Sequence, residues 1–490
     1  MKKYYITTPL YYVNSRPHIG HAYTTMAADI LTRYLRSKGE EVYFQTGTDE
    51  HGTNIEKTAR KQNIPPKQWC DEVSADFRGL WNTLNIKYDY FIRTTDEDHQ
   101  KRVQAVFEKL IKSGDIYLGS YEGLYCDSCE NFFDESELKD GCCPIHGRPV
   151  SKVKEESYFF RLSKYEQPLL RYYEEHPDFL APSYRARELV NFVKQGLKDL
   201  SVSRTKVSWG IPILSNPHHT IYVWFDALLN YITGLGYDAE GGSADKFREI
   251  WPADVQLVGK EIFRFHGVIW PAMLMALGVE LPKKVYAHGW WTMNGEKMSK
   301  SKGNFIKAED IVAQYGLDPL RYFSFREITF GQDGDFSMEA FRRRYNADLA
   351  NDLGNLFSRV ISIARKNLNG RAAEKAEGEE LKKLTDLDPK IDKAMRTLQF
   401  SEALDYIWQG ISGLNKFTDA KKPWELAKKD KAALKVFMDE ILACLDIIAG
   451  WINPFMPGTA EKMKNILLLE PNDGGKIPPL FPRLQQEEQK

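Results

Sequence analysis

Tyr4-Tyr5-Ile6-Thr7-Thr8-Pro9-Leu10-Tyr11-Tyr12-Val13 runs through Asn14-Ser15-Arg16-Pro17 into His18-Ile19-Gly20-His21. The first ten residues are apolar and rich in aromatic and β-branched types, which predicts a buried strand. Residues 18–38 then read as a helix, with Pro17 suited to the first turn, where its missing N–H costs nothing. A strand feeding a helix N-terminus aims backbone N–H groups and the positive end of the helix dipole at one spot, which suits phosphate. His18 and His21 are three apart, so both imidazoles lie on one helical face and can donate to the same phosphates. Gly20 leaves room for a flat ring to approach the backbone. The bland alternative is a pair of capping or core histidines beside a turn.

Outward from this stretch the alternation continues. A strand at 41–46 and helices at 54–62, 66–84 and 95–113 predict an open parallel sheet. Ligands in such sheets bind at the carboxyl ends of strands, where the turn after residue 13 and Thr48-Asp49-Glu50-His51-Gly52 both fall. From 116 to 206 the alternation gives way to cysteine knuckles and Pro/Gly turns, the pattern of an inserted domain. It resumes with a strand-like 220–225, a helical 262–277 and a strand at 284–288. After about residue 346 apolar positions recur at three and four spacings through 349–363, 391–417, 432–451 and 459–466, predicting an antiparallel helical bundle. The Pro/Gly-rich stretch 471–490 reads as a frayed tail. The expected boundaries are therefore 1–115, 116–206, 207–282, 283–345, 346–470 and 471–490.

A second motif lies downstream: Asn294-Gly295, a turn signal, precedes Lys297-Met298-Ser299-Lys300-Ser301. Lys297 and Lys300, helped by Lys302, put mobile positive charge among small neighbours. Such a loop can close over a triphosphate while charge builds on a leaving pyrophosphate. A solvated lysine loop is the alternative.

Composition sets bounds. With 490 residues, 42% hydrophobic, the chain is long enough for several domains with large cores. It has no run of about twenty apolar residues and no signal-peptide pattern, so a cytoplasmic protein that does not span a membrane is expected. A net charge of −1 gives no global pull towards nucleic acid. The basic stretches 185–206 and Arg342-Arg343-Arg344 read first as solvated helix faces. Of six cysteines, Cys70 and Cys444 stand alone and read as buried. The other four crowd into Cys126-Asp127-Ser128-Cys129 and Cys142-Cys143-Pro144-Ile145-His146. That spacing in a cytoplasmic chain points to metal. Cys126, Cys129, Cys143 and His146 make the closed tetrahedral shell of one structural Zn2+, with Cys142 as a possible substitute ligand.

The paired motifs, the knuckle insert and the C-terminal helices resemble the class I aminoacyl-tRNA synthetases, in detail the methionyl-tRNA synthetases, from residue 1 to about 470. The resemblance implies an α/β fold. Its catalytic domain would be a Rossmann-like doubly wound parallel sheet carrying the inserted knuckle. A stem-contact region at 283–345 with the lysine loop and an α-helical anticodon-binding bundle would follow.

It also implies site residues. His18, Gly20, His21, His288, Gly289, Lys297, Ser299 and Lys300 would serve ATP, with His18, His21, Lys297 and Lys300 as the catalytic set. Pro9, Leu10 and Tyr12 would line a methionine pocket, Asp49 would hold the α-ammonium, and Trp224 would close over the substrate. Ala227, Leu228, Tyr231, Ile262, Phe265, His266 and Trp270 would complete the pocket. A thioether suits such a lining, being polarizable and favouring aromatic edges and weak donors over charge. In the bundle, Asn355, Arg359, Pro423 and Trp424 would read the anticodon by stacking and edge hydrogen bonds.

The implied partners are ATP with Mg2+, L-methionine, and initiator and elongator tRNA(Met). A separate tRNA-binding subunit is implied if the appended domain of some members is a different chain. Synthetases for leucine, isoleucine or valine usually carry an editing insertion larger than 116–206. A non-catalytic paralogue would have no reason to keep His18, His21, Lys297 and Lys300.

Overall fold

A computed structural model describes residues 3–17, 19–126, 131–133, 135–145, 147–293, 296–297, 308–367, 376–467 and 478–485. They divide into two compact units, one of residues 1–28 and 39–288, the other of 29–38 and 289–490.

The first unit is built on strand β1 (Tyr4–Tyr12), which is buried along almost its whole length. A strand buried on both faces must be covered on both faces, and the near-continuous apolar run matches that need. β1 pairs in parallel with β2 (Val42–Asp49) on one edge and with Val255–Gly259 on the other. β3 (Tyr90–Arg93) extends the sheet beyond β2, and Val285–His288 and then Leu180–Ala181 extend the opposite side, all parallel. The edge strand Leu180–Ala181 comes from the stretch that reads as an insert in sequence. Because order runs away from β1 in both directions, the crevice at the carboxyl ends of β1 and Val255–Gly259 is the topological switch point of the sheet. The register slips between Thr7 and Leu10, after which Leu10 faces Gly47 and Tyr12 faces Asp49.

The remainder of 116–206 contributes a four-stranded sheet around the long antiparallel pair Ile116–Cys126 and Ser151–Phe160. A large apolar core joins this region to one face of the parallel sheet, with Phe107, Phe160 and Trp270 all buried in it. The expected strand at 220–225 is corrected: the strand Asn216–Ile221 stops, and Val223–Leu228 is helical. Its apolar run fits either state by periodicity, and tertiary packing decides between them.

The second unit contains a small sheet, in which Trp291–Met293 pairs with Glu296–Lys297 and with Gly334–Asp335, and a set of helices. The expected run at 391–417 is two helices, Asp388–Arg396 and Phe400–Lys421. Between them Leu398 takes φ 62°, a left-handed geometry that no α-helix can contain. The tail reading also needs correcting over 478–485. Phe481 is buried against the Tyr345 ring, and the Asn346 side chain exchanges two hydrogen bonds with the Leu484 backbone.

One buried charge organises this unit. Arg321, on the helix Leu317–Arg326, is fully buried. It donates to Asp29 (2.6 Å) and to the carbonyls of Pro454 (2.9 Å) and Phe455 (3.0 Å). Asp29, on helix α1 (Ile19–Ser37), also accepts from Arg33 at 2.7 Å. Removing Arg321 takes one of two guanidinium partners from the buried Asp29 and a donor from two carbonyls. Arg321→Ala is therefore expected to cost about 3–5 kcal/mol in denaturant unfolding, and a loss below about 1 kcal/mol would show the pair to be energetically idle.

Candidate active site

At the carboxyl end of β1, Leu10 and Tyr12 keep partial exposure, and Pro9 is buried beside them. The register sets Tyr12 next to Asp49, so an aromatic and an acidic residue are neighbours at the carboxyl ends of β1 and β2. The next residue has a different fate. Glu50 is fully buried and takes a bidentate ion pair from Arg93 (2.7 and 2.8 Å), with further hydrogen bonds from the Thr48 and Thr95 hydroxyls. Sequence reading missed this lock. Its only signal is two adjacent acids at a strand end, which must point to different sides.

The remaining residues expected at the amino acid come from two elements. Trp224, in the first turn of Val223–Leu228, lies flat on Phe265, with ring centroids 3.8 Å apart and planes 11° from parallel. Phe265 opens a π-helical turn, Phe265–Ile269, that runs into Trp270–Leu277. His266 is edge-on to Trp224. Behind them Tyr231 and Trp270 are buried with rings 5.7 Å apart. Ala227 and Leu228 are buried, and Ile262 is half-buried. Leu10, Tyr12, Trp224 and Ile262 thus keep exposed surface, while Tyr231, His266 and Trp270 form the layer behind.

The proton inventory of that layer is defined. His266 Nδ1–H donates to the Ile262 carbonyl at 3.0 Å, leaving Nε2 to accept from the Tyr231 hydroxyl at 2.7 Å. The Tyr231 carbonyl accepts from the Tyr5 hydroxyl at 3.0 Å, which fixes the residue from below. Burial favours uncharged forms. It pushes the Tyr231 phenol up and lowers His266 from 6.5 to about 4, despite the opposing carbonyl. A pocket wall without formal charge suits a neutral, polarizable side chain.

Of the residues expected at ATP, His21 lies in the first turns of α1, half-exposed, with its ring 5.2 Å from Tyr11 and 5.3 Å from Phe77. Gly20 precedes it, also half-exposed. His288 is buried, paired through Nε2 with the Thr24 hydroxyl at 2.6 Å and edge-on to Tyr23. It therefore ties its strand end to α1. Gly289 belongs to the second unit, where a Cβ would come within 2.3 Å of the Gln332 backbone. Lys297 sits on the short strand Glu296–Lys297. His18, Ser299 and Lys300 lie outside the described residues.

In the helical region Trp424 is 43% exposed. It follows Pro423 at the start of Pro423–Lys429, and the Arg359 guanidinium lies 5.6 Å from its ring centre. Arg359 also pairs with Asp419 at 2.6 Å. Asn355 is exposed one turn before Arg359.

Cys126 and Cys143 are buried in one small cluster with Phe133. The Cys143 carbonyl accepts from Gly147 N–H at 2.8 Å, a tight knuckle turn. Cys142 is half-buried. Two gathered thiols fit half of a thiolate metal shell, while Cys129 and His146 lie outside the described residues. Among the described residues no three candidate ligands come together.

The family model for class I tRNA synthetases (M) matches residues 4–149 and 135–361. A methionine–tRNA ligase of Caldanaerobacter subterraneus subsp. tengcongensis is 51% identical over 469 residues, 94% of this chain and 73% of the relative. The chain belongs to the methionyl-tRNA synthetase family. The methionine–tRNA ligase of Thermotoga maritima is 48% identical over 471 residues, covering 94% of this chain and 74% of the relative. The Mycobacterium tuberculosis methionyl-tRNA synthetase in complex with methionyl-adenylate superimposes with a TM-score of 0.91 at 40% identity, covering 97% of this chain and 95% of that one. Its apo form gives 0.86 at 36% identity, covering 99% of each chain. Among the described residues no helix is long and apolar enough to cross a membrane.

The depressed His266 pKa carries a prediction. Between pH 6.5 and about 4 the unfolded chain takes up a proton at this position that the folded chain refuses. This contribution to stability is complete above pH 6.5 and is lost as pH falls towards 4. His266→Gln, which still offers an acceptor to Tyr231, should flatten the fall of the urea midpoint across that window. An unchanged slope would place the proton uptake elsewhere.

Proposed function

We propose that this chain activates L-methionine with ATP and transfers it to the 3′-terminal adenosine of tRNA(Met), initiator and elongator alike, in the cytoplasm. The observation that carries the reading is the uncharged aromatic cluster of Trp224, Phe265, Tyr231 and His266, in the same unit as Asp49 at the carboxyl end of β2. A carboxylate for an ammonium and a polarizable wall for a thioether are what an unbranched sulfur-containing amino acid needs.

The methionine carboxylate attacks the α-phosphate of ATP in line, forming the mixed anhydride and releasing pyrophosphate. The terminal ribose hydroxyl then attacks the activated carbonyl and expels AMP. No side chain of the chain becomes covalently attached, so its contribution is positioning and charge stabilisation. Asp49 orients the α-ammonium, and Leu10, Tyr12 and Trp224 confine the side chain. His18 and His21 donate to ATP phosphates, Gly20 admits the adenine, and His288 and Gly289 line the nucleotide. Lys297 and Lys300, with Ser299, neutralise the β- and γ-phosphates. Mg2+ accompanies ATP. Losing one transition-state donor typically costs ~2.7–4 kcal/mol, so His21→Ala or Lys300→Ala should lower methionine-dependent ATP–pyrophosphate exchange by ~100-fold or more. Near-normal exchange in both variants would defeat these assignments, and exchange driven by another amino acid would defeat the substrate.

Trp424 and Arg359, with Asn355, serve as the anticodon platform: an exposed indole beside a guanidinium can stack a splayed base and pair with its edge. Since a stacked base is worth ~1–3 kcal/mol, Trp424→Ala should leave exchange intact while lowering tRNA charging by roughly tenfold. Equal loss in both assays would make the residue structural.

Cys126, Cys129, Cys143 and His146 are proposed to hold one structural Zn2+, whose role is to close the knuckle rather than to enter the reaction. Metal analysis of the purified protein should give about one zinc per chain, and Cys126→Ser with Cys143→Ser should abolish it. Full retention of zinc by that double variant would exclude the ligand set.

A further inference from the structure

A buried polar chain that the reaction itself does not use joins elements carrying the proposed pocket residues. His51, Asp226 and His99 are each almost completely buried. His51 Nδ1 is 2.7 Å from one Asp226 carboxylate oxygen, and His99 Nε2 is 2.7 Å from the other. His99 Nδ1 lies 2.7 Å from the Thr233 hydroxyl. One set of tautomers satisfies these three contacts. His51 Nδ1–H and His99 Nε2–H donate to the carboxylate, and the Thr233 hydroxyl donates to His99 Nδ1. Burial alone would raise the Asp226 pKa, but its two histidine partners outweigh that and hold the carboxylate below its ordinary range.

The sequence offsets give this chain its meaning. His51 stands two residues after Asp49, Asp226 two after Trp224, and Thr233 two after Tyr231. His51, Asp226 and Thr233 are thus each on the same short element as one pocket residue. The loop after β2 is held at His51, and further by Gly52 N–H donating to the Trp209 carbonyl at 2.9 Å. The turn Val223–Leu228 is held at Asp226 and the turn Asn230–Thr233 at Thr233. His99, on the helix Glu97–Lys112, joins the last two. The loop at His51, the helix at His99 and the turn at Asp226, remote in sequence, therefore meet on one carboxylate, with Thr233 joined through His99.

Stability alone gives little reason for such a group. Well-packed apolar residues of similar volume are often as stabilising as a buried charged cluster. What a carboxylate accepting two N–H bonds adds is fixed geometry, because each bond has a preferred length and direction. A pocket that must hold an ammonium, a thioether and an aromatic lid within a fraction of an ångström needs that support.

We infer that Asp226, through His51 and His99, is a positioning residue for amino-acid binding, setting the relative placement of Asp49, Trp224 and Tyr231. The inference rests on the methionine-activating reading above and names what holds its specificity pocket in register. None of the three network residues needs to touch substrate.

The test is steady-state ATP–pyrophosphate exchange with methionine and ATP varied separately. It compares wild type, His51→Ala, His99→Ala, and the conservative His51→Asn and His99→Gln, whose amide N–H groups replace Nδ1–H and Nε2–H. From the loss of one buried hydrogen bond to a charged group, each alanine variant should raise KM for methionine about tenfold or more, with KM for ATP within about twofold. The Asn and Gln variants should recover most of that loss. An unchanged KM for methionine overturns the inference, as does a parallel rise of both constants without rescue, which marks a purely structural network. If the alanine variants do not fold, His51→Leu and His99→Leu fill the space without donating and carry the same expectation. Failure of both series to fold also assigns the network to stability alone. Absence of methionine-dependent exchange in wild type would instead defeat the activity, and the inference with it. Wild-type exchange with unaffected variants would defeat only the inference.

Discussion

The pairing of β1 on both edges is the constraint on which the first unit depends. A central parallel strand has no solvent-facing edge or face, so its neighbours must come from distant chain segments and its side chains must be apolar nearly throughout. β2 and Val255–Gly259 supply those neighbours. Because all six strands run the same way, every carboxyl end opens on one side. Leu10, Tyr12, Asp49 and His288 lie at strand ends, and the side on which they gather follows from strand direction alone. The slip between Thr7 and Leu10 adds the local adjustment that sets Tyr12 beside Asp49.

Charge is handled differently in the two halves of the structure. At the pocket, Glu50 is fully committed to Arg93 and threonine hydroxyls, immediately beside Asp49 at the strand end. The pocket wall itself is kept neutral, with the Tyr231 hydroxyl and His266 sharing one hydrogen bond under strong desolvation. In the second unit the buried guanidinium of Arg321 gathers two backbone carbonyls and Asp29, giving the end of the Lys431–Ile452 helix a fixed anchor. In both places a buried charge is tolerated because its donors or acceptors are nearly all occupied.

Much of this was legible in residue order, and the misreadings share a cause. The strand–helix alternation over 1–115 and the helices after 346 are carried by periodicity, a local property. Periodicity failed where a short apolar run fits either state, as at Trp224, and where one residue breaks a long helix, as at Leu398. It failed again at 478–485, where composition suggested a loose tail but Phe481 has a pocket against Tyr345. The strand Leu180–Ala181 is too short to announce itself and exists because Val285–Tyr286 offers it an edge.

What the sequence by itself determined is the chemistry on offer: histidines at a helix start, lysines among small residues, thiols in knuckles, aromatic residues and Asp49 at strand ends. These identities are enough to place the chain in its family, since each motif is contiguous and its physics local. Only the tertiary structure decided how that chemistry is deployed. It committed Glu50 to Arg93, set the Tyr231 hydroxyl against His266, and left Trp424 exposed under Arg359. The physical reason is that burial, desolvation and hydrogen-bond partnership are relations between residues far apart in the chain, and no local pattern encodes them.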